Sequence, residues 1–465
     1  AHGQGYSDLH FIIPETINTI DFGKGPYYAN IGDFNTAGYV NFSTLDRLKE
    51  SSVTLSAGQF NTIRTLGMFN LIDYQDNQSA YAAIDYLGTD GPFDSPQGLN
   101  RLNIFGKYTS IFKNNVKLSV TASHFTSRWD ASGQIPQRAV DDGSISRFGA
   151  IDDTEGGNTS RSNVNISFNK RIDDETIFKS NMYYSKYDFE LYSNFTFFLE
   201  DPVNGDQIRQ KENRDIIGLR TSIVKDTYLG SIPVEFTTGL GFRNDMVRDI
   251  ELSKTVNRIT TLERIQFGDL NQTNIDGYAK AKFDFNKFSV APGLRVDYFK
   301  FMYNDKLQPT YTMQSENKTI LSPKLNFYYD VDRDMQLYLK SGIGFHSNDT
   351  RVVVDNLSEN ILPRAYGLDI GTVWKPTSKL VVNTALWYLY LQQEFVYVGD
   401  AGIVEPSGRT ERFGLDLGLR YQLNDWLFLD ADATYTDAKS LDEPDGQNHI
   451  TLAPEFTAIG GLSVS

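Results

Sequence analysis

Successive side chains of an extended strand point to opposite faces, and this chain keeps that period of two through one segment after another. In Phe413–Tyr421, Phe413, Leu415, Leu417, Leu419 and Tyr421 share one face, while Gly414, Asp416, Gly418 and Arg420 share the other. In Ile275–Phe285, Ile275, Gly277, Ala279, Ala281, Phe283 and Phe285 oppose Asp276, Tyr278, Lys280, Lys282 and Asp284. In Leu337–Phe345, Leu337, Leu339, Ser341, Ile343 and Phe345 oppose Gln336, Tyr338, Lys340, Gly342 and Gly344. Each segment is therefore a strand with one apolar and one polar wall. A soluble sandwich also alternates, but its strands average roughly 5–6 residues, and these read as about 10 to 15. The polar wall also carries full charges and glycine.

The connections alternate between short and long. Short turns fall at Phe112–Asn115, Asp173–Asp174, Asp284–Lys287, Asp330–Asp334, Lys375–Lys379 and Gln422–Asp425. Their Asn, Asp, Pro and Ser suit tight reversals. Between them lie long polar stretches at Asp130–Gly157, Phe195–Lys211, Asp249–Phe267, Tyr303–Glu316 and Ser347–Leu362. Turns on one rim and loops on the other describe an all-β, transmembrane antiparallel barrel, with turns periplasmic and loops extracellular. About 18 strands are expected from Ser52 onward. Aromatic groups such as Tyr183-Tyr184, Tyr298-Phe299, Phe327-Tyr328-Tyr329, Trp387-Tyr388 and Trp426 are expected at the membrane interface. No repeat of propeller-blade length appears.

Composition narrows the function. The net charge of −15 opposes recognition of nucleic-acid phosphates. The absence of cysteine removes disulfides, thiolate metal sites and thiol nucleophiles together. No apolar run reaches the roughly 18 residues of a membrane-spanning helix. Ala1–Gly5 has neither the basic region nor the apolar core of a signal peptide, so either the chain is soluble or it is a barrel whose start has been removed. His124 and His346 have no neighbours at metal or triad spacing, and no enzyme activity is expected. Asp141, Asp142, Asp152, Asp153 and Glu155 supply oxygens of the kind Ca²⁺ takes, but without EF-hand spacing, and a solvated loop is the favoured expectation. No cofactor and no resident metal are expected.

The first 45 residues do not alternate. Ile12-Ile13-Pro14-Glu15-Thr16-Ile17 is followed by Asp21-Phe22-Gly23-Lys24-Gly25-Pro26 and a Gly-rich stretch to Gly38. This ordered series, running into Ser51–Thr62, resembles the end of the plug domain of TonB-dependent receptors. The similarity continues at Trp129–Arg138, Arg147-Phe148-Gly149, Ser193–Pro202, Gly344–Asp349, Val398–Gly402 and Glu405–Gly408, and so covers nearly the whole chain. The resemblance implies a 22-stranded outer-membrane barrel filled by a plug. It implies import of a scarce ligand, a siderophore-type metal chelate or other small organic nutrient, driven by the TonB complex. It places residues 1–48 in the C-terminal part of the plug and residues 49–465 in the barrel. Against that pattern the segment gripped by TonB is missing, and Gly460–Ser465 stops in mid-strand, about four strands short of the family barrel. The chain is accordingly expected to be a fragment.

Lysine and arginine at the bilayer midplane cost about 2–4 kcal/mol, so the charged faces should line the lumen. Lys24, Asp33, Lys280, Arg295 and Asp297 are the expected contacts between plug and wall. Ligand contacts are expected from loop residues Trp129, Gln134, Arg138, Arg147, Phe195, Phe197 and Phe198, which mix aromatic rings with donors. A non-transporting surface barrel, adhesive or structural, is the alternative. A passive porin ranks third, because a plug opposes an open lumen. The expected partners are outer-membrane lipid, the TonB complex and a small molecule.

Overall fold

A computed structural model describes residues 9–74, 77–310, 313–355, 361–398, 403–450 and 453–464. Two short strands come first, β1 (Ile17–Lys24) and β2 (Gly38–Thr44), preceded by a 3-10 turn at Pro14–Thr16. The wall begins with β3 (Ser52–Gly58), β4 (Thr62–Tyr74), β5 (Gln78–Thr89), β6 (Leu99–Phe112), β7 (Val116–Ala131), β8 (Glu155–Arg171) and β9 (Thr176–Ser193). It continues with β10 (Ile208–Leu229), β11 (Ile232–Val256), β12 (Thr260–Asp284), β13 (Phe288–Asp305), β14 (Gln314–Asp330) and β15 (Met335–Phe345). Then come β16 (Arg364–Thr377), β17 (Leu380–Leu391), the loop hairpin β18 (Glu394–Val398) and β19 (Ile403–Ser407), β20 (Thr410–Gln422), β21 (Leu427–Ser440) and β22 (Phe456–Val464). Helices α1 (Gln137–Asp141) and α2 (Thr350–Asp355) lie in long connections.

Eighteen strands form one closed antiparallel ring, and β1–β2 and β18–β19 are separate two-stranded sheets. Every strand from β3 to β22, the loop hairpin apart, pairs in register with the next wall strand. The ring meets itself where β22 lies beside β3. Every residue of both those strands is exposed, which makes this seam the least covered part of the wall.

The expected faces hold. Ile370, Leu386, Leu415 and Tyr435 stand directly opposite one another across β16, β17, β20 and β21, and all four are exposed. A soluble surface does not carry a contiguous apolar belt of this kind, whereas hydrocarbon requires one. Gly414 and Gly418 on the opposite face of β20 are buried. The short turns fall where the Asn and Asp clusters place them, and Asn115 and Asn286 take the positive φ values of 60° and 72° that such turns demand.

Three expectations are corrected. Asp249–Phe267 is not a long loop: β11 and β12 continue as 25-residue strands and meet at the turn Asn257–Ile259. A tilted strand crosses the bilayer in about 9–11 residues, so more than half of this hairpin stands clear of it. The paired aromatics do not all face lipid, because neighbours in a strand alternate. Tyr184 and Tyr298 are exposed, but Phe299 is 1% exposed and faces inward. The apolar face of Leu337–Phe345 does not reach lipid throughout, because Phe345 is buried at the end of β15, where pairing with β14 has already stopped at Gly342. There it joins Phe299, Phe301, Tyr303, Val247, Ile320 and α2 residues Val353 and Val354 in a dry cluster inside the ring. The lumen is therefore polar at mid-height and apolar towards the loops.

The register makes a direct prediction. With single cysteines in the otherwise cysteine-free chain, a lipid-soluble thiol probe should label Leu415→Cys and Leu417→Cys but not Asp416→Cys. Equal labelling of all three would displace the register of β20.

Candidate functional site: the contact between the inner segment and the wall

Residues 9–48 lie within the ring and touch its inner face on many sides. The 3-10 turn starts after Ile13, whose carbonyl accepts from Thr16 Oγ1 at 2.7 Å. Ile13 is buried with Leu48, Leu66, Met68, Tyr81 and Ala83, which seats this end on β4 and β5. Full burial of such a side chain contributes about 1.5–3 kcal/mol. From there β1 runs to Lys24, and Gly25 turns the chain at φ 72°, a conformation that favours glycine. The chain then loops through Pro26–Ala37 and returns as β2, antiparallel to β1.

Side chains hold the inner segment to the wall. Glu15 receives two bonds from Arg64, at 2.8 and 2.9 Å, and Arg64 Nε also donates to Asp85. Asn103 donates to the His10 carbonyl at 2.9 Å, and Lys107 to the Thr44 carbonyl at 3.0 Å. Lys117 pairs with Asp46 at 2.5 Å. On the far side, Lys24 pairs with Asp416 at 2.5 Å, and Asn326 donates to the Tyr27 carbonyl at 3.3 Å.

The deepest contact is an ion cluster on β12 and β13. Asp276 and Asp297 stand opposite each other in register, an arrangement that repels unless a cation intervenes. Arg295 is that cation: it bonds both oxygens of Asp297 at 2.7 Å and approaches Asp276 at 3.0 Å. It is 2% exposed, and Asp297 is fully buried. Arg295 Nη1 also reaches the Ala29 carbonyl at 3.5 Å. Its guanidinium lies where a side chain on residue 32 would have to stand, so Gly32 lets the inner segment pass over it. Higher up, both oxygens of Asp33 accept from Ser347, from its backbone N–H at 2.6 Å and its hydroxyl at 2.7 Å. Burial raises the Asp33 carboxyl above its ordinary range, and the Ser347 bonds oppose that shift.

Of the five expected contacts, Arg295 meets the inner segment directly and Asp297 orients it. Lys24 meets Asp416, and Asp33 meets Ser347 rather than a cation. Lys280 lines a cavity beside Tyr28 and Ala29. The contacts of Glu15, Asp46, Asn103, Lys107 and Asn326 were not anticipated. For Asn103, Lys107 and Asn326, inward parity on β6 and β14 is the available signal, but it does not say which inner residue each one meets; Glu15 and Asp46 lie outside the strands and carry no such signal.

The seven loop residues lie in separate places. Trp129 lies two residues before the end of β7; Gln134, Arg138 and Arg147 are exposed in the β7–β8 connection; Phe195, Phe197 and Phe198 lie in the β9–β10 connection. That second loop is folded on Asp206, which accepts from the backbone of Leu199, Glu200 and Asp201 and from the Thr196 hydroxyl. Arg258, at the tip of the β11–β12 hairpin, joins these loops: it pairs with Asp130 at 2.8 Å and donates to the Thr154 and Glu155 carbonyls, and its backbone N–H donates to Gln207 Oε1 at 3.0 Å. Asp152 accepts from Asn194 and Gln207, and Glu155 accepts from the Asn194 backbone. Asp152 and Glu155 thus serve as acceptors between loops, whereas Asp141 and Asp142 accept within their own loop. The expected match at Val398–Gly402 lies, from residue 399 on, outside the described residues, as do residues 1–8 and 356–360. His124 bonds Ser162, and His346 bonds the Gln393 carbonyl and stacks on Phe34, so both have packing partners.

Arg295→Ala leaves two buried carboxylates facing each other without a cation, and should destabilise the protein by about 3–5 kcal/mol. Arg295→Met combined with Asp276→Asn and Asp297→Asn should recover most of that loss. Thermal unfolding in detergent measures both. No recovery in the triple variant would show that charge compensation is not the role of Arg295.

The model of the family described as TonB dependent receptor-like, beta-barrel matches residues 6–465. Among solved structures, the siderophore receptor PiuA from Acinetobacter baumannii is similar with a TM-score of 0.79 at 13% identity, over 97% of this chain and 74% of that one. The ferric-catecholate import receptor Fiu from E. coli K12, in its closed form, gives 0.74 at 15%, over 94% and 72%. The ferric citrate transporter FecA, unliganded, gives 0.77 at 16%, over 95% and 67%. At these identities the likeness is one of fold. A search of curated proteins finds no match.

Proposed function

The chain belongs to the TonB-dependent receptor family of outer-membrane β-barrels, and on that premise we propose that it imports a small chelate or similar organic nutrient through movement of residues 9–48. The proposal treats residues 1–48 as the end of a plug and the rest as wall, with the TonB complex supplying the pull. One observation carries it. The inner segment forms a two-stranded sheet of its own and is fastened to the wall by side chains. Such contacts can be exchanged one at a time for water as the segment moves. The wall keeps its hydrogen-bond ladders, which in hydrocarbon have no substitute. The neighbouring receptors are described as taking ferric catecholates, ferric citrate and siderophores, which supports a chelate as cargo here.

The ligand would arrive from the rim that carries the long connections. There the β7–β8 and β9–β10 loops offer Trp129, Gln134, Arg138, Arg147, Phe195, Phe197 and Phe198. That rim faces outward from the cell in this reading, with the Asn- and Asp-containing turns in the periplasm. Trypsin added to intact cells should cut after Arg138 or Arg147, both exposed. Cleavage confined to Lys375 or Lys379, in the opposite rim, would invert the topology.

Import through movement is tested by locking the segment. Cysteines at Asp33 and Ser347, whose side chains touch at 2.7 Å, have no competing thiol in the chain. In the full-length receptor, the oxidised pair should retain binding of a ferric siderophore supplied to cells but lose uptake by tenfold or more, and reductant should restore it. Unimpaired uptake with the bridge intact would refute movement at this contact.

A further inference from the structure

A cavity of about 410 Å³ lies between the inner segment and β16, β17, β20 and β21. The inner segment supplies Lys24, Tyr27 and Ala37, and the wall supplies Asp369, Trp387, Leu389 and Leu391. Arg412 and Asp416 bound it along β20. They are four residues apart, so the cavity extends about 13 Å along the strand at roughly 3.3 Å per residue. An ion pair closes each end. Lys24 meets Asp416 at 2.5 Å at one, and Arg412 meets Glu394 at 2.6 Å at the other.

Among the groups that line the cavity the charges do not balance. Both cations already face carboxylates, and Asp369 remains. It is 7% exposed, and its Oδ1 is buried with no hydrogen-bond partner among the described residues. Lys340 is its register partner on β15, but its ammonium lies 4.3 Å from the centre of the Tyr338 ring instead. A buried carboxylate oxygen without a donor is costly, and a cation offsets that cost best. Beside it stands Trp387, whose ring lies across Gly414, with Leu389 and Leu391 continuing an apolar surface. An aromatic face next to a carboxylate suits an ammonium group, which both attract. An anion of the same size would meet the charge of Asp369 with both lining cations already engaged.

We propose that this cavity binds an organic ammonium ion, with Asp369 as its counter-ion and Trp387 with Leu389 as the surface for its apolar body. The site lies beside the inner segment rather than among the outer loops, and it goes beyond the import reading. Binding at equilibrium needs no energised movement. Failure of this site would leave import standing, and failure of import would leave this site standing.

Phenethylamine is a suitable probe, with phenethyl alcohol and 3-phenylpropionate as its neutral and anionic counterparts. Each is titrated into the purified full-length receptor in detergent, and tryptophan fluorescence is followed. Saturable binding of the amine is expected, at least tenfold tighter than that of the alcohol or the acid. Asp369→Asn should weaken the amine at least tenfold and leave the alcohol unchanged. Trp387→Phe should remove the amine-dependent signal, which separates Trp387 from every other tryptophan in the protein. Heat-modifiable gel mobility checks that each variant is folded. Should Asp369→Asn not fold, the ratio of amine to alcohol on the unaltered protein decides. Equal affinity for amine and alcohol, or an unchanged amine affinity in folded Asp369→Asn, overturns the proposal.

Discussion

Backbone hydrogen bonding in a medium without water governs this molecule. A peptide N–H or C=O left unpaired in hydrocarbon costs several kcal/mol, so a wall of strands must pair edge to edge around a ring. The ring order and the registers from β3 to β22 meet that demand. Once the backbone is committed to ladders, the side chains are divided by geometry alone. One set, including Leu386 and Leu415, must suit lipid, and the other is released to be charged.

The released set then meets a second constraint. Where the inner segment lies against the wall, charges such as Arg295, Asp297 and Asp85 are drawn out of water and must be matched. Arg295 between Asp276 and Asp297 is one solution, with the inner segment's Ala29 carbonyl as an additional acceptor. Arg64 between Glu15 and Asp85 is another. In both, a wall cation serves the wall and the inner segment at once. Attachment of the segment is therefore tied to the electrostatic balance of the barrel. Asp369, with one oxygen lacking a donor, is a departure from that balance and accordingly marks the side of the lumen where a ligand has room.

Towards the loops the interior changes character. Along the inward face of β13 the residues pass from Arg295 and Asp297 to Phe299, Phe301 and Tyr303, and α2 folds in over them. This dry cluster supports Phe345 and the start of the connection that carries Ser347, the residue gripping Asp33. The outer clasp of the inner segment thus rests on an apolar platform built by five wall strands and a loop helix. Arg258 does comparable work among the loops from the tip of the longest hairpin, holding the ends of β7 and β8 together.

Much of this was legible in the residues alone. The period of two is a local property of the backbone, so the faces of β12 and β20 and the sharp turns at Asn115 and Asn286 follow from short stretches read in isolation. The loss of that period before Ser52 marked the inner segment in the same way. The length of the β11–β12 hairpin was not legible, because Asp249–Phe267 is polar whether it forms a loop or a solvated ladder. Nor was the inward turn of Phe345, since it depends on where β14 and β15 part. Above all, alternation separates inward from outward but cannot say what lies across the lumen. Lys24 meets a residue 392 positions away and Asp33 one 314 positions away. Closure of the ring decides which strands face which part of the inner segment, and only the tertiary structure brings Lys24 to Asp416, Gly32 to Arg295 and Asp369 to the wall of a cavity.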